Sequence, residues 1–206
     1  LNRGEKLLCT VCRHELPLTE YNFNVENGVD RIFYGRINIK KASSFLYFTE
    51  QGIVKNLIHQ LKYRNQEQIG SFLGDWYGQV LKENGFLKNI DYVIPVPLHK
   101  KKLKTRGYNQ VALFAQKIAE NINAEYLENV LIKTANTRTQ TKKTRLSRWY
   151  DNRSLYEVMD PILLVNKNIL LVDDVITTGA TMEICGQSLK NIKGASIYIT
   201  SMAVVT

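Results

Sequence analysis

Apolar residues recur along this chain of 206 residues with two distinct spacings, one typical of strands and one typical of helices. Short apolar runs predict buried strands at 91–97, 125–132, 168–174 and 195–205. Apolar positions three and four residues apart predict amphipathic helices at 53–61, 69–81, 109–122 and 181–192. Apolar strands that alternate with helices are typical of a mostly parallel sheet covered on both faces. We therefore expect an α/β fold.

The remaining segments complete the predicted layout. β-Branched and aromatic residues on both sides of residues 40–43 predict a hairpin over Arg31–Phe48. Residues 134–152 are rich in Thr, Arg and Lys without an apolar period, which predicts a long loop. We expect two units: a polar, cysteine-containing lead-in (1–28) and the α/β domain (29–206).

The composition fits a globular protein, with 44% hydrophobic and 23% charged residues. No apolar run approaches the roughly 18 to 20 residues that a membrane-spanning helix needs, and no signal peptide is visible. The three cysteines do not form a disulfide framework, because two lie close together and one is far away. We expect a cytoplasmic protein without membrane insertion, although a start at Leu1 rather than Met leaves an upstream segment open.

The chain is strongly basic, with a formal net charge of +9 and a pI near 9.4. Its positive residues concentrate in HKKKLKTRGYNQ (99–110) and RTQTKKTRLSRWYDNR (138–153). Two basic segments predict contacts with anions. Charge alone fits a nucleic-acid backbone, a phosphorylated metabolite or plain solubility.

The stretch NILLVDDVITTGAT (168–181) carries the most specific chemistry in the chain. Asp173 and Asp174 end an apolar strand, and ligands of parallel sheets bind at the carboxyl ends of strands. Carboxylates there can accept hydrogen bonds from the vicinal hydroxyls of a sugar. The turn Thr177–Thr181 offers a glycine, hydroxyls and the free N–H groups of a helix start, which together form a cradle for a phosphate. An acid pair alone would more often cap a helix, but the full string indicates a ribose 5-phosphate site.

LLVDDVITTGAT resembles the phosphoribosyl pyrophosphate (PRPP) motif of the type I phosphoribosyltransferases, and the resemblance implies their fold. It implies that Asp173 and Asp174 hold the ribose 2- and 3-hydroxyls. The phosphate-binding residues that it implies are Val175, Thr177, Thr178, Gly179, Ala180 and Thr181. It places the pyrophosphate at the turn Pro95, Val96 and Pro97, with Mg²⁺ bridging pyrophosphate and ribose.

Two further stretches resemble the ComF branch, the competence-associated phosphoribosyltransferase-like proteins. These are VIPVPLHKKKLKTRGYNQ (93–110) and RTQTKKTRLSRWYDN (138–152). The resemblance extends over nearly the whole chain from about residue 30. It implies a small hood, a cysteine zinc ribbon at the N-terminus, and a role in DNA uptake through a helicase-like ATPase and single-stranded DNA.

Transfer of a phosphoribosyl group needs cations at the departing pyrophosphate, where negative charge develops. With the two acids, Arg106 and Arg138 are the residues that we expect to be catalytic. Lys142 and Lys143 are further candidates in the later loop, where the roles of Gln140 and Arg145 stay open. We expect Lys100–Lys102 to be solvated surface charges, and Cys185 to be a small buried apolar residue.

Cys9 and Cys12 form a CxxC pair and are the candidate metal ligands for Zn²⁺. A tetrahedral zinc site needs about four ligands, and His14 would add only one. A first CxxC pair upstream of Leu1 would complete the zinc ribbon that the ComF resemblance implies.

Three functions stay open from the sequence. The first is a Mg²⁺-dependent phosphoribosyltransferase that acts on an unknown acceptor, with a hood built from 32–48 and 57–81. The second is a module without catalysis that acts in DNA uptake with single-stranded DNA and a helicase-like competence ATPase. The third is a regulator that senses PRPP.

Overall fold

A five-stranded parallel sheet organises the protein, seen in a computed structural model that describes residues 7–85, 87, 89–134 and 155–205. Its strands are β1 (Lys41–Phe48), β2 (Tyr92–Pro95), β3 (Glu125–Tyr126), β6 (Asn168–Ile176) and β7 (Ser196–Val205). They lie in the order β1-β7-β6-β2-β3, and every neighbouring pair is parallel. A separate antiparallel pair consists of β4 (Leu131–Lys133) and β5 (Tyr156–Val158). The predicted α/β class with a mostly parallel sheet is confirmed.

Helices cover both faces of the sheet. They are α1 (Thr10–His14), α2 (Gly28–Ile32), α3 (Ile53–Tyr63), α4 (Gln68–Asn84), α5 (Lys100–Arg106), α6 (Ala112–Ile122) and α7 (Ala180–Leu189), with a 3₁₀ turn at Ile162–Leu164. One apolar cluster joins α3, α4 and α6 to the sheet, and a second joins α2, α7 and the β4–β5 pair to its other face. Burial of apolar area at about 25 cal/mol per Å² makes these two layers the main source of stability. In the described part of the chain, no helix is both long and apolar enough to cross a membrane.

The contact between α4 and α6 is unusually close because small residues line it. Gly70, Gly74 and Gly78 lie four residues apart on α4, so they share the face that meets α6. A Cβ at Gly74 would lie 2.5 Å from the carbonyl oxygen of Phe114. The loop before α6 reaches the end of β6, where the side-chain amide of Gln110 donates to Asp174 Oδ2.

The predicted hairpin over Arg31–Phe48 is wrong. Its first part ends helix α2, which begins with a capping box: the side chain of Asn27 accepts the N–H of Asp30, and the side chain of Asp30 accepts the N–H of Asn27. Asp30 Oδ1 also accepts the N–H of Ala42 at 2.7 Å, so α2 is fixed against the start of β1. The expected turn at residues 40–43 is instead the beginning of one long strand, because β1 finds its partner in the distant β7.

Two other segments differ from the prediction. The strand-like run at 125–132 is split, because β3 joins the central sheet whereas β4 pairs with β5. The basic stretch after the Pro95–Pro97 turn forms helix α5, with His99 as its N-cap. Most of the predicted loop (134–152) lies outside the described residues.

Candidate functional site

The turn between β6 and α7 has the geometry expected of an anion cradle. Gly179 has φ 73°, a left-handed conformation that side chains disfavour. A Cβ there would also lie 2.7 Å from Ile32 Cγ2 and 2.9 Å from a ring carbon of Phe33. Helix α7 starts directly after this glycine, so its first N–H groups have no partner within the helix. Conformation and space therefore both require glycine directly before the start of α7.

Asp173 lies in the same small cleft as this turn. The cleft has a volume of about 50 Å³, and its lining includes Asp173, Val175, Thr177, Thr178, Gly179, Ala180 and Thr181. Asp173 Oδ1 accepts the N–H of Asp174 at 2.8 Å. Burial, followed by the charge of Asp174, raises the pKa of Asp173 to about 7. The structure thus brings one predicted acid and the predicted phosphate-binding residues together.

Asp174 has different surroundings, because consecutive side chains on a strand point to opposite faces. It is only 6% exposed. Its Oδ1 accepts a hydrogen bond from Lys62 Nζ at 2.8 Å, and its Oδ2 accepts one from the Gln110 amide. Arg106 in turn donates to Gln110 Oε1. The two adjacent acids coexist because Asp174 has a cation beside it and Asp173 binds its proton more tightly than an ordinary aspartate.

The turn after β2 lies next to β6. The N–H of Val96 donates to the carbonyl of Val172 at 2.8 Å, and the side chain of Asn109 donates to the carbonyl of Val96 at 3.1 Å. Pro95 and Val96 are buried, and Pro97 is half-buried. The turn is therefore held between β6 and the loop that carries Gln110, although it does not line the cleft of Asp173.

Arg36 is a site residue that the sequence did not indicate. Its Nε and Nη2 bind Glu183 Oε2 at 3.0 and 2.6 Å, and its Nη1 donates to the carbonyl oxygens of Ile32 (3.0 Å) and Thr178 (2.5 Å). Arg36 thereby ties the Thr177–Thr181 turn and the first turn of α7 to the segment after α2. It also neutralises a carboxylate that would otherwise repel a phosphate.

Lys62 and Lys133 are further basic residues that sequence reasoning missed. Lys62 ends an amphipathic helix with no local signal of its role, whereas Lys133 precedes the long basic loop. Lys133 Nζ lies 2.9 Å from the hydroxyl of Tyr156. Burial is the main reason why the pKa of Lys133 is lowered. Cys185 itself is fully buried on α7, as predicted.

The cysteine pair forms the start of helix α1. Cys9 is the N-cap of that helix, and its Sγ accepts the N–H of Cys12 at 3.3 Å. The hydrogen bond with Cys9 is the main reason why the pKa of Cys12 is raised. The described residues contain no group of three or more side chains placed to hold a metal ion, so the pair supplies at most half of a zinc site. Zn²⁺ binding by Cys9 and Cys12 stays a prediction.

Arg138, Gln140, Lys142, Lys143 and Arg145 lie outside the described residues.

No family model matches the chain. It is 29% identical over 156 residues to competence protein F of Haemophilus influenzae, which covers 71% of this chain and 66% of that protein. It is 27% identical over 146 residues to the DNA utilization protein YhgH of Escherichia coli K12, with 69% and 63% covered. Competence protein ComFC of Bacillus subtilis is 25% identical over 162 residues, with 77% and 62% covered.

These relatives confirm the resemblance to the ComF branch, and the matches span slightly less than two thirds of each relative's length. Among solved structures, a hypoxanthine phosphoribosyltransferase of Staphylococcus aureus matches with a TM-score of 0.41 and 13% identity, over 65% of this chain and 62% of that one.

Proposed function

We propose that this relative of the ComF-type competence proteins binds PRPP with Mg²⁺ at the carboxyl end of β6 and transfers its phosphoribosyl group to an acceptor. One observation carries the proposal. Asp173 and the first residues of α7, whose N–H groups have no partner within the helix, line one cleft, so a sugar hydroxyl and a phosphate can be bound within a few residues.

Each part of the cleft has a distinct task in the reaction. Asp173 accepts a hydrogen bond from a ribose hydroxyl, and the start of α7 with the Thr177 and Thr178 hydroxyls holds the 5-phosphate. The acceptor forms a bond to C1 while the bond from C1 to pyrophosphate breaks, and its electron pair leaves with the pyrophosphate. Positive charge develops on the sugar and is stabilised by the nearby carboxylate.

Mg²⁺ fits the donor set, because the carboxylate of Asp173 is the hard oxygen ligand that this ion prefers. When bound, it would neutralise the pyrophosphate. Arg106 is the described catalytic candidate on the cationic side of the site, and Arg138 stays a candidate from the later loop. Asp174 forms an ion pair with Lys62, so these two residues together add little net charge next to an anionic substrate.

A second candidate function follows from the relatives, which are named for competence and for DNA utilization. In this reading the chain handles single-stranded DNA together with a helicase-like ATPase, and PRPP has a regulatory role or none. The net charge of +9 supports contact with a polyanion. The proposal of a PRPP-sensing regulator differs from the enzyme only in that no acceptor is turned over.

Calorimetry with PRPP and MgCl₂ tests the binding step. We expect Asp173→Asn to weaken binding by at least about tenfold, roughly 1.4 kcal/mol. The asparagine can still accept the N–H of Asp174, so the fold should be kept. Glu83→Gln, at an exposed acid near the end of α4, is the matched control and should bind like the wild type. Equal affinities of wild type and Asp173→Asn would defeat the assignment.

Turnover separates the enzyme from the two alternatives. Pyrophosphate release from PRPP is measured across a panel of nucleobases, amines and ammonia. Release that depends on one acceptor supports transfer. PRPP binding without release under any condition, joined with salt-sensitive binding of single-stranded DNA, supports the DNA-handling module instead.

A further inference from the structure

A large basic cavity lies between the end of α3 and helix α5. Its volume of about 550 Å³ is in the range of pockets that hold small molecules. Its lining includes Lys62, Tyr63, Asn65, Lys101, Lys102 and Arg106. Helix α5 follows the turn at Pro95–Pro97 in the chain, so the cavity adjoins the place assigned to the departing pyrophosphate.

The cavity carries an excess of positive charge. Its described lining holds four cationic side chains and no carboxylate. Lys62 is compensated by Asp174, whereas no ion pair to Lys101, Lys102 or Arg106 occurs within the described part of the chain. A ligand with several negative charges is therefore favoured over a neutral one.

The cavity also presents one exposed aromatic ring. Tyr63 is 65% exposed, and the guanidinium of Arg106 lies 5.6 Å from its ring centroid. A base can stack on such a ring while its phosphates reach the nearby cations. A strand of nucleic acid would need a series of stacking rings along a track, whereas the described lining offers one exposed ring in a cavity of small-molecule size.

We propose that this cavity binds a nucleoside 5′-polyphosphate, such as ATP, as a regulator that excludes PRPP. The base stacks on Tyr63, and the phosphates bind Lys101, Lys102 and Arg106. PRPP has no planar ring for Tyr63, and its 5-phosphate is assigned to the Thr177–Thr181 turn. This inference rests on the phosphoribosyltransferase function proposed above, since it names a regulator of the same site.

The two ligands exclude each other because they need the same cation. Arg106 lines the cavity and is also the described catalytic candidate for the departing pyrophosphate. It hydrogen-bonds to the neutral amide of Gln110, so no acid of the described chain uses its charge. A phosphate chain bound to Arg106 takes this charge from the pyrophosphate of PRPP and repels that pyrophosphate at short range.

A series of related ligands tests the nucleotide site on the wild-type chain. ATP is compared with AMP, adenosine and tripolyphosphate by calorimetry at one fixed concentration of free Mg²⁺. We expect ATP to bind about tenfold or more tightly than each of the others, roughly 1.4 kcal/mol, because only ATP combines a base with a chain of phosphates. An ATP affinity no higher than that of any one of them would overturn the proposal.

Variants then locate the bound nucleotide. Lys101→Gln with Lys102→Gln should weaken ATP about tenfold or more, because both lose a charge-assisted hydrogen bond. Tyr63→Ala should weaken ATP about fivefold or more and leave tripolyphosphate unchanged, because only the nucleotide has a base to stack. Lys104→Gln on the same helix does not line the cavity and is the control for a general loss of charge.

Three results with these variants would overturn the proposal. The first is an equal loss of ATP affinity in the control and in the double variant. The second is an oligothymidylate that displaces ATP and binds more tightly in a Lys101- and Lys102-dependent way. The third is loss of ATP binding in Asp173→Asn, which would place the nucleotide in the cleft of Asp173 and not in this cavity.

Competition between the two ligands tests the regulation. PRPP is titrated at rising concentrations of ATP, again with free Mg²⁺ held constant. We expect the apparent Kd of PRPP to rise in proportion to the ATP concentration in the wild type and in Lys104→Gln, and to rise far less in the double variant. A PRPP affinity that stays the same under saturating ATP would overturn the proposal.

Failure of this inference can be told apart from failure of the proposed function. PRPP binding without ATP is measured separately and depends on Asp173, which does not line this cavity. If PRPP binds but ATP does not, the inference is wrong and the proposed function stands. If ATP binds in the cavity while PRPP does not bind, the regulatory role falls together with the proposed function.

Discussion

At the scale of single residues, the adjacent acids at the end of β6 show how neighbours in sequence acquire different chemistry. Asp174 is fixed by Lys62 and Gln110, whereas Asp173 faces the cleft and has a pKa raised to about 7, mainly by burial. At neutral pH, a substantial fraction of the Asp173 side chains therefore carries a proton. A substrate hydroxyl would meet a group whose charge depends on pH in the range where cells work.

Replacement of Asp173 by asparagine should stabilise the fold in a way that depends on pH. Between about pH 4 and pH 7, folded Asp173 keeps a proton that the unfolded chain has released, so the free energy of unfolding falls as pH rises through this window. Asparagine removes this loss. We expect Asp173→Asn to be about 1–2 kcal/mol more stable than the wild type at pH 8, or roughly 3–6 °C in melting temperature, and similar to it near pH 4. Scanning calorimetry from pH 4 to 8 checks this, and a difference that does not change with pH would contradict it.

Arg36 should control PRPP affinity through Glu183. Loss of the arginine leaves a carboxylate unpaired in the first turn of α7, beside the position proposed for the 5-phosphate, and releases the carbonyl of Thr178. We expect Arg36→Gln to weaken PRPP binding about five- to tenfold, and the added change Glu183→Gln to restore much of it.

The rescue in the double variant is the informative result, because a purely structural role of the Arg36–Glu183 pair would give no recovery when both are removed. Arg31→Gln is the matched control. Arg31 lies on the same segment and pairs with Glu26 at the surface, so its loss should leave PRPP affinity unchanged in the same calorimetric titration.

At the scale of elements, α4 and α6 approach so closely that two glycines one turn apart on α4, Gly70 and Gly74, should differ sharply in how well they tolerate alanine. Gly74→Ala would place a Cβ 2.5 Å from a backbone oxygen that cannot move freely, so we expect a loss of about 2 kcal/mol or more in the free energy of unfolding. Gly70→Ala meets its nearest backbone atoms at 3.5 Å and should be neutral, or stabilising by up to about 1 kcal/mol. Urea unfolding of the two variants measures the difference, and equal stabilities would show that α6 shifts to accommodate the methyl group.

The sequence also predicted some elements well and others wrongly, depending on whether their signal is local. Periodic segments such as α4, α6 and β6 were predicted well, because their apolar spacing is a local property. The hairpin at 31–48 was wrong because the partner of β1 is β7, more than 150 residues away, and nothing local distinguishes a buried parallel strand from one arm of a hairpin. The same limit applies to the site. The turn at Thr177–Thr181 lies in one stretch of sequence, whereas Arg36 and Glu183 are 147 residues apart and have no common signal.

At the scale of the whole molecule, the strand order gathers distant segments at one edge. β6 lies between β2 and β7, so the turn after β2 and the end of β6 meet at its carboxyl end. The residues that bind Asp174, one from α3 and one from the loop before α6, lie at the same edge. This convergence follows from the parallel sheet, because all its strands end at the same edge. The basic cavity between the end of α3 and α5 and the cleft of Asp173 are consequently close together, although their residues come from three separate parts of the chain.

The net charge of +9 raises the question whether PRPP binds to a defined site or is attracted by the overall charge. Salt dependence answers it, because long-range attraction is screened by salt more strongly than short-range hydrogen bonds are. A strand of nucleic acid that contacts six to ten phosphates loses about 10³–10⁵ in affinity between 50 and 200 mM salt. PRPP held by the helix start and Asp173 should lose less than about tenfold over the same range, because short-range hydrogen bonds dominate. We expect titrations of PRPP with MgCl₂ and of an oligothymidylate, both in 50 and 200 mM KCl, to separate in this way. A PRPP affinity that falls as steeply as that of the oligonucleotide would mean that the overall charge, and not the cleft, attracts the ligand.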